Sequence, residues 1–387
     1  MAFATSKLLA GPDSIHMHKP LDKALACFSV RFPFEFNFAH RDTRAVVGHQ
    51  IEHHMRLCTV ATSGFEVLFS TVGSEPLLAE ASMYAMNTSQ TRPIKLLSTY
   101  MDVNCISVGE RGEVVAALLV MRARDVLAMS TGQRWVWVID FMEKLVAYPR
   151  LRTALPKFAR TDEAELQFQE AFNGSRIWMN HVLKVRNTDL INVKYLWRFV
   201  TRGAMILCAN GQRGVDLVIP VVHSGGELSR DNMTVILIQV KNDKSFTKMH
   251  EHLFDGMDPF RTGLFDDSTV QPRPIIRMVF ALASDTCEVK YAKSEIRSDD
   301  FTAYDFWCGG LDTETFPLID DEDRLPYQHL LARTRDHGKP YDVGTKSVVH
   351  PNEVKANKCA LLRQFDPLLE TGPEHQSHFQ DNRPPAA

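Results

Sequence analysis

Three apolar runs in quick succession constrain this chain more than any other feature: residues 203–210, 215–222 and 233–241. The first two are separated by Gly211-Gln212-Arg213-Gly214 and the last two by a turn-rich segment, residues 223–232. Such runs predict a meander of strands covered on both faces, and strands of that kind need helices on either side. The fold class expected is therefore α/β (α+β). Polar residues break the pattern at few places. Asp216 opens the second run, and Gln239 and Lys241 close the third. Residues two apart on a strand share a face, so Gln239 and Lys241 project together. An unpaired lysine inside a covered strand costs several kcal/mol (roughly, after relaxation), which makes Asp216 on the neighbouring strand its natural partner. Their spacing (239 − 216 = 23) suits a hairpin with an expanded turn.

The rest of the chain supplies the helices. Residues 43–63 have helical periodicity. Ser74-Glu75-Pro76 opens another helix running to Met86, with serine as N-cap and proline in the first turn. Residues 109–129 form a third, strongly apolar on one side, and residues 130–200 read as several more. A polar helical stretch follows from Ser245, then a strand at 275–283. The expected organisation is an irregular N-terminal segment (1–45) with an edge strand where Phe32, Phe34, Phe36 and Phe38 alternate, then a helical region (46–108). Next come the main domain (109–320) with its helical insertion (130–200) and an acidic, irregular C-terminal region and tail (321–387).

Composition removes several classes. The longest purely apolar run, residues 114–121, is far short of a membrane span, and the N-terminus lacks a signal-peptide core. The 7 cysteines are dispersed, without a Cys-x-x-Cys pair, so free thiols are expected rather than a disulfide framework or structural zinc. A soluble intracellular protein of cytoplasm or nucleus follows as the expectation, without membrane contact. With 44 basic and 47 acidic residues it is no general nucleic-acid coat, though a local basic groove is compatible. Phosphate loops, dinucleotide fingerprints and the Gly-x-Ser-x-Gly elbow are missing. His49-Gln-Ile-Glu-His53-His54 fits the His-x-x-Glu-His pattern of inverted zinc peptidases and a desaturase histidine box. It lacks the third ligand of the one and the membrane helices of the other, so a surface helix carrying histidines is the reading kept.

An acid on one strand followed by Glu/Gln-x-Lys on the next resembles the PD-(D/E)xK nuclease superfamily, the restriction-endonuclease-like fold. Its core order, αβββαβ, is matched here by helix 109–129, the strands within 203–241, the helix from Ser245 and strand 275–283. The family's helix acid falls on Glu113, with Glu110 as the alternative. Two departures stand out: glutamine replaces the family's glutamate at 239, and about 70 residues separate the first helix from the first strand. Ser74-Glu-Pro-Leu-Leu-Ala-Glu-Ala, the Asp216 segment and Ile238-Gln-Val-Lys-Asn242 are also similar to a set of uncharacterised proteins of mushroom-forming fungi. Those in turn resemble nuclease domains of Crinkler-type effectors.

The resemblance implies a chemistry. Asp216, Glu113 and the amide oxygen of Gln239 would hold Mg2+ (or Mn2+), a hard cation that takes oxygen ligands. Lys241 would orient water or stabilise charge on phosphorus. Residues 176–202 carry Arg176, Lys184, Arg186, Lys194, Arg198 and Arg202 against Asp189 alone, with Trp178, Tyr195, Trp197 and Phe199 interleaved. With Arg213, the groups at 186, 194, 198 and 202 are the candidate nucleic-acid contacts. An amphipathic helix with core aromatics and solvated charges explains the same letters. Residues 296–336 have 10 acids against 4 bases, a face suited to a basic protein partner. Two functions remain open: a metal-dependent nuclease for DNA or RNA, and an inactive nuclease fold used as a nucleic-acid or protein binding module or effector.

Overall fold

The computed structural model describes residues 2–10, 20–33, 41–61, 68–88, 94–95, 97–98, 108–185, 187–209, 212, 214–265, 272–292, 296–297 and 300–337. It is a mixed α/β protein. A small antiparallel hairpin pairs β1 (Leu57–Ala61) with β2 (Leu68–Thr71). Eleven further strands form one sheet. They are β3 (Val136–Trp137), β4 (Phe158–Ala159), β5 (Arg176–Ile177), β6 (His181–Lys184), β7 (Ala204–Leu207) and β8 (Leu217–Val222). β9 (Met233–Lys241), β10 (Ile275–Ala281), β11 (Glu288–Tyr291), β12 (Ile296–Arg297) and β13 (Ala303–Gly309) complete it.

The centre of the sheet runs β7-β8-β9-β10-β13. β8 is antiparallel to both β7 and β9, while β10 is parallel to β9 and to β13. The outer edge of β8 is divided: β7 covers Leu217 and Val218, and β5 meets only Val222. Pro220 falls in the gap between them, where a missing N–H costs the ladder nothing.

Both faces are covered, as the apolar runs require. Ile236 and Ile238 of β9 pack into one core, with Val240 against its margin and the helix Val108–Thr131 across it. That helix is about 36 Å long at 1.5 Å per residue. Val235 and Leu237 enter a second core with Leu196 and Val200 of the helix Val193–Thr201 and with Leu253 and Phe254. Buried ion pairs tie these elements together, among them Arg31–Asp125, Arg124–Glu80 and Arg277–Asp305. Arg31 grips Asp125 through two hydrogen bonds of 2.6 and 2.8 Å, fixing the helix Pro20–Arg31 to the long helix. Arg277 of β10 grips Asp305 of β13 at 2.7 and 2.6 Å and donates to the Phe254 carbonyl. Among the described residues, no helix is long and apolar enough to cross a membrane.

Several expectations need correction. The N-terminal segment, expected to be irregular, contains helices at Ala2–Leu8 and Pro20–Arg31, with Pro20 at a helix start. The expected strand of alternating phenylalanines falls largely outside the described residues. In the 43–63 stretch the helix Arg41–His53 gives way to β1. Among the described residues of the insertion 130–200, the α-helices that begin there are Val138–Leu145, Phe168–Ala171 and Val193–Thr201, with 3-10 turns at Leu151–Thr153 and Thr188–Leu190, and four strands join the sheet. Those strands are too short for a period to register; their order comes from pairing, β5 with β8, β4 with β13, β6 with β7 and β3 with β5. Between Ser245 and β10, the single turn His252–Asp255 is the only helix among the described residues. The acidic region holds a wholly buried strand, β13, and the helix Asp321–His337.

Candidate active site

The site begins with the alternation along β9. Positions 236, 238 and 240 face the long helix, so Gln239 and Lys241 leave the opposite face together at the strand's end. Gln239 is 9% exposed and its Oε1 is buried without a hydrogen-bond partner. A buried carbonyl oxygen left unsatisfied is costly, and it is the kind of atom that a cation would relieve.

Asp216 precedes the first residue of β8. Its N–H donates to the Ile238 carbonyl at 2.9 Å and its own carbonyl accepts from the Cys208 N–H at 2.8 Å. Both neighbours of β8 therefore hold its backbone. The side chain then reaches across: Oδ2 accepts from the Val240 N–H at 2.6 Å. This sets the carboxylate on the β9 backbone between Gln239 and Lys241. Two glycines make the approach possible. Gly214 has φ +84°, and a Cβ there would lie 2.0 Å from the Gly256 carbonyl oxygen. The turn after His252–Asp255 thus packs directly on the segment that delivers Asp216.

Burial raises the Asp216 pKa, opposed by the Val240 N–H and by the charge of Lys241. Burial also raises the Cys208 thiol, and the charges of Asp216 and Glu113 push it further in the same direction. Asp216 and Glu113 therefore both act on the sulfur at the end of β7. Beside Glu113, Gly112 lets the long helix close on β9: a Cβ at 112 would lie 3.1 Å from Val240 Cγ1 and from Asn242 Cβ. The alternative acid, Glu110, has its side chain outside the described residues.

One expectation fails in detail. Lys241 and Asp216 influence each other electrostatically, yet no direct ion pair joins them; Nζ lies 5.5 Å from the Phe246 ring centroid instead. Lys241 is only partly buried, so water and the aromatic face meet its charge and a carboxylate contact is unnecessary.

The donor set of Asp216, Glu113 and Gln239 fits a small hard cation in kind: two carboxylates and an orphaned amide oxygen. Among the described residues no group of three or more His, Cys, Asp or Glu side chains is gathered to hold a metal. The Asp-Glu-Gln set has only two members of those types. His49, His53 and His54 do cluster, with ring centroids 4.6 and 5.4 Å from His49, but His54 Nδ1 is bound to the Leu8 carbonyl at 2.8 Å.

The basic segment divides. Lys194 and Arg198 are exposed on the helix Val193–Thr201, with the Arg198 guanidinium 5.5 Å from both the Tyr195 and Trp197 rings. Trp197 and Phe199 pack against the second core. Arg202 is turned to the Ser74 carbonyl at 3.0 Å and precedes the end of β7 opposite Asp216. Arg186 and Arg213 lie outside the described residues. Sequence reading missed Cys208 and the three packing glycines; the Gly-x-Asp spacing at 214–216 was the one available hint.

A family model, a domain of unknown function (DUF8736), matches residues 42–258, more than half of the chain. The match contains Glu113, Cys208, Asp216, Gln239 and Lys241 and ends before β10. No curated protein matches the chain, and no solved structure does. By the extent of that match, the chain belongs to the DUF8736 family.

Proposed function

We propose that this protein is a metal-dependent phosphodiesterase, a nuclease of the PD-(D/E)xK type with a Gln-x-Lys variant site, hydrolysing DNA or RNA. The reading is supported by the order long helix, β7, β8, β9, single helical turn, β10, with the first three strands antiparallel neighbours and the fourth parallel to β9. With β3 to β6 set aside as an insertion, that order resembles the αβββαβ order of the restriction-endonuclease-like core, a single turn standing where that core has its second helix. The observation that carries the proposal is the unsatisfied Oε1 of Gln239 beside a carboxylate pinned to the intervening backbone by the Val240 N–H.

Asp216, Glu113 and Gln239 would hold Mg2+ or Mn2+. When bound, the ion would polarise the phosphoryl group and lower the pKa of a water molecule. The protein's own groups do the positioning. The Val240 amide keeps the Asp216 carboxylate from swinging toward Lys241, so the ammonium stays available to the charge that builds on phosphorus. Lys194 and Arg198 offer exposed cations for phosphates; within the acidic 296–336 region, whose strand β13 is buried, the exposed Asp320, Asp321 and Glu322 form the surface proposed for a protein partner.

The test is cleavage of single- and double-stranded DNA and RNA with Mg2+ and Mn2+, run beside Lys241→Ala. Metal-dependent cleavage that Lys241→Ala abolishes supports the reading. The glutamine at 239 favours a second reading, an inactive nuclease fold used for binding. That reading wins if no substrate is cut and neither metal raises the melting temperature.

A further inference from the structure

Far from Asp216, a chain of polar groups ends on a serine. Ser74 lies in the link between β2 and the helix Pro76–Thr88. Its Oγ is 2.8 Å from His181 Nε2, and His181 Nδ1 is 2.7 Å from Asn180 Oδ1. The proton positions follow from the rest of the chain. The Asn180 amide nitrogen donates to the Pro76 carbonyl at 3.0 Å and to Glu80 Oε1 at 3.1 Å, so its oxygen faces the imidazole. Nδ1 must then carry the proton and Nε2 the lone pair. The lone pair points at the serine hydroxyl. Glu80 is fixed in turn by Arg124 at 2.6 Å, and the Asn180 carbonyl by Arg31 Nε at 2.9 Å. Ser74 and Glu80 both belong to the Ser-Glu-Pro-Leu-Leu-Ala-Glu-Ala motif, which the phosphodiesterase reading leaves unused.

We propose that Ser74 is an activated nucleophile, with His181 as its base and Asn180 as the orienting group, in an acyl-transfer site for carboxylic esters that carry a negative charge. Nucleophile, base and orienter stand in the order such chemistry needs. The exposed Arg202 guanidinium, bound to the Ser74 carbonyl at 3.0 Å, supplies the preference for an anion. The first-turn amides of Leu77 and Leu78 lack intrahelical acceptors and can meet a developing oxyanion.

The step balances. Ser74 Oγ bonds to the ester carbonyl carbon as its proton passes to His181 Nε2. The alcohol then leaves with that proton, and the acyl group stays on Ser74. Water gives a proton to Nε2 and its oxygen to the acyl carbon, and Ser74 departs with the proton, releasing the acid. Burial and the charges of Arg31 and Arg202 hold the His181 pKa at about 4, which keeps Nε2 unprotonated at neutral pH and makes it a weak base. The site is a slow one.

The test treats full-length protein with a biotinylated fluorophosphonate in excess EDTA and maps the adduct by peptide mass spectrometry. The expected result is an adduct on Ser74 that is lost in guanidinium-denatured protein and slowed about a hundredfold by His181→Gln. A p-nitrophenyl monoester of succinate should give a burst of p-nitrophenolate absent in Ser74→Ala. An unmodified Ser74 in the folded wild type overturns the proposal without recourse to any variant. So does equal labelling of folded and denatured protein, or labelling that requires added metal.

Discussion

The Asp216 carboxylate rests on the Val240 amide at 2.6 Å, so the strand that bears Gln239 and Lys241 also holds the acid that faces them. Nothing flexible intervenes between the three groups. A site built this way is set when β8 pairs with β9.

That carboxylate is held at a cost, since burial raises its pKa. Asp216→Asn keeps an oxygen for the Val240 N–H and removes the charge. The metal-free variant should melt a few degrees higher than the wild type, about 1 kcal/mol for a domain of this kind, and should show no stabilisation by Mg2+ or Mn2+. Thermal shift with and without metal checks both halves. A lower melting temperature would mean that the charge itself is needed for folding.

Gln239→Glu separates the two functional readings. In an active site it adds a carboxylate to the donor set, and cleavage should persist at a lower metal concentration. In a relative disabled only at this position, an inert wild type should gain cleavage. Inert forms of both, without metal-dependent stabilisation, would leave the binding module.

Gly214→Ala should cost roughly 2–4 kcal/mol, because the residue sits at positive φ and the new methyl group would meet the Gly256 carbonyl oxygen. Gly48→Ala is its counterpart. No atom lies within 4 Å of a Cβ there, in the helix Arg41–His53, and the change should stabilise by about 0.5–1 kcal/mol. Urea unfolding of the two variants checks the contrast.

His181 gives a pH signature. Its folded pKa is depressed from 6.5 to about 4, chiefly by burial and then by Arg31 and Arg202. The unfolded chain therefore binds the proton more tightly, and the contribution is fully present above pH 6.5 and is lost as pH falls toward 4. The loss amounts to roughly 3 kcal/mol at the lower end. Relative to wild type, His181→Gln should show a shallower fall in unfolding free energy between pH 7 and pH 4.5. Parallel curves would remove His181 as the source.

The central meander was legible because β8 and β9 are apolar on both faces, which leaves Asp216, Gln239 and Lys241 conspicuous. Their bonding was not legible. Sequence reasoning pairs Asp216 with Lys241 as opposite charges; the fold gives the acid to a backbone N–H and the lysine to Phe246, and a sequence carries no sign of either. β13 was missed for a related reason. Asp305 interrupts its apolar run, and the residue that neutralises it, Arg277, sits 28 positions earlier on β10. The Ser74, Asn180 and His181 contact joins elements more than a hundred residues apart, beyond the reach of any local motif.

The two edges of β9 close at different times. β8 is the preceding strand and needs only a turn to reach it, whereas β10 begins at Ile275, after a long excursion through the His252–Asp255 turn. A nascent chain ending before Ile275 would present the free edge of β9, from Ile236 to Lys241, as an open template for another strand. The hairpin that sets the carboxylate is thus complete while the sheet is still vulnerable, and β10 serves first as the cover that keeps one molecule from adding to the next.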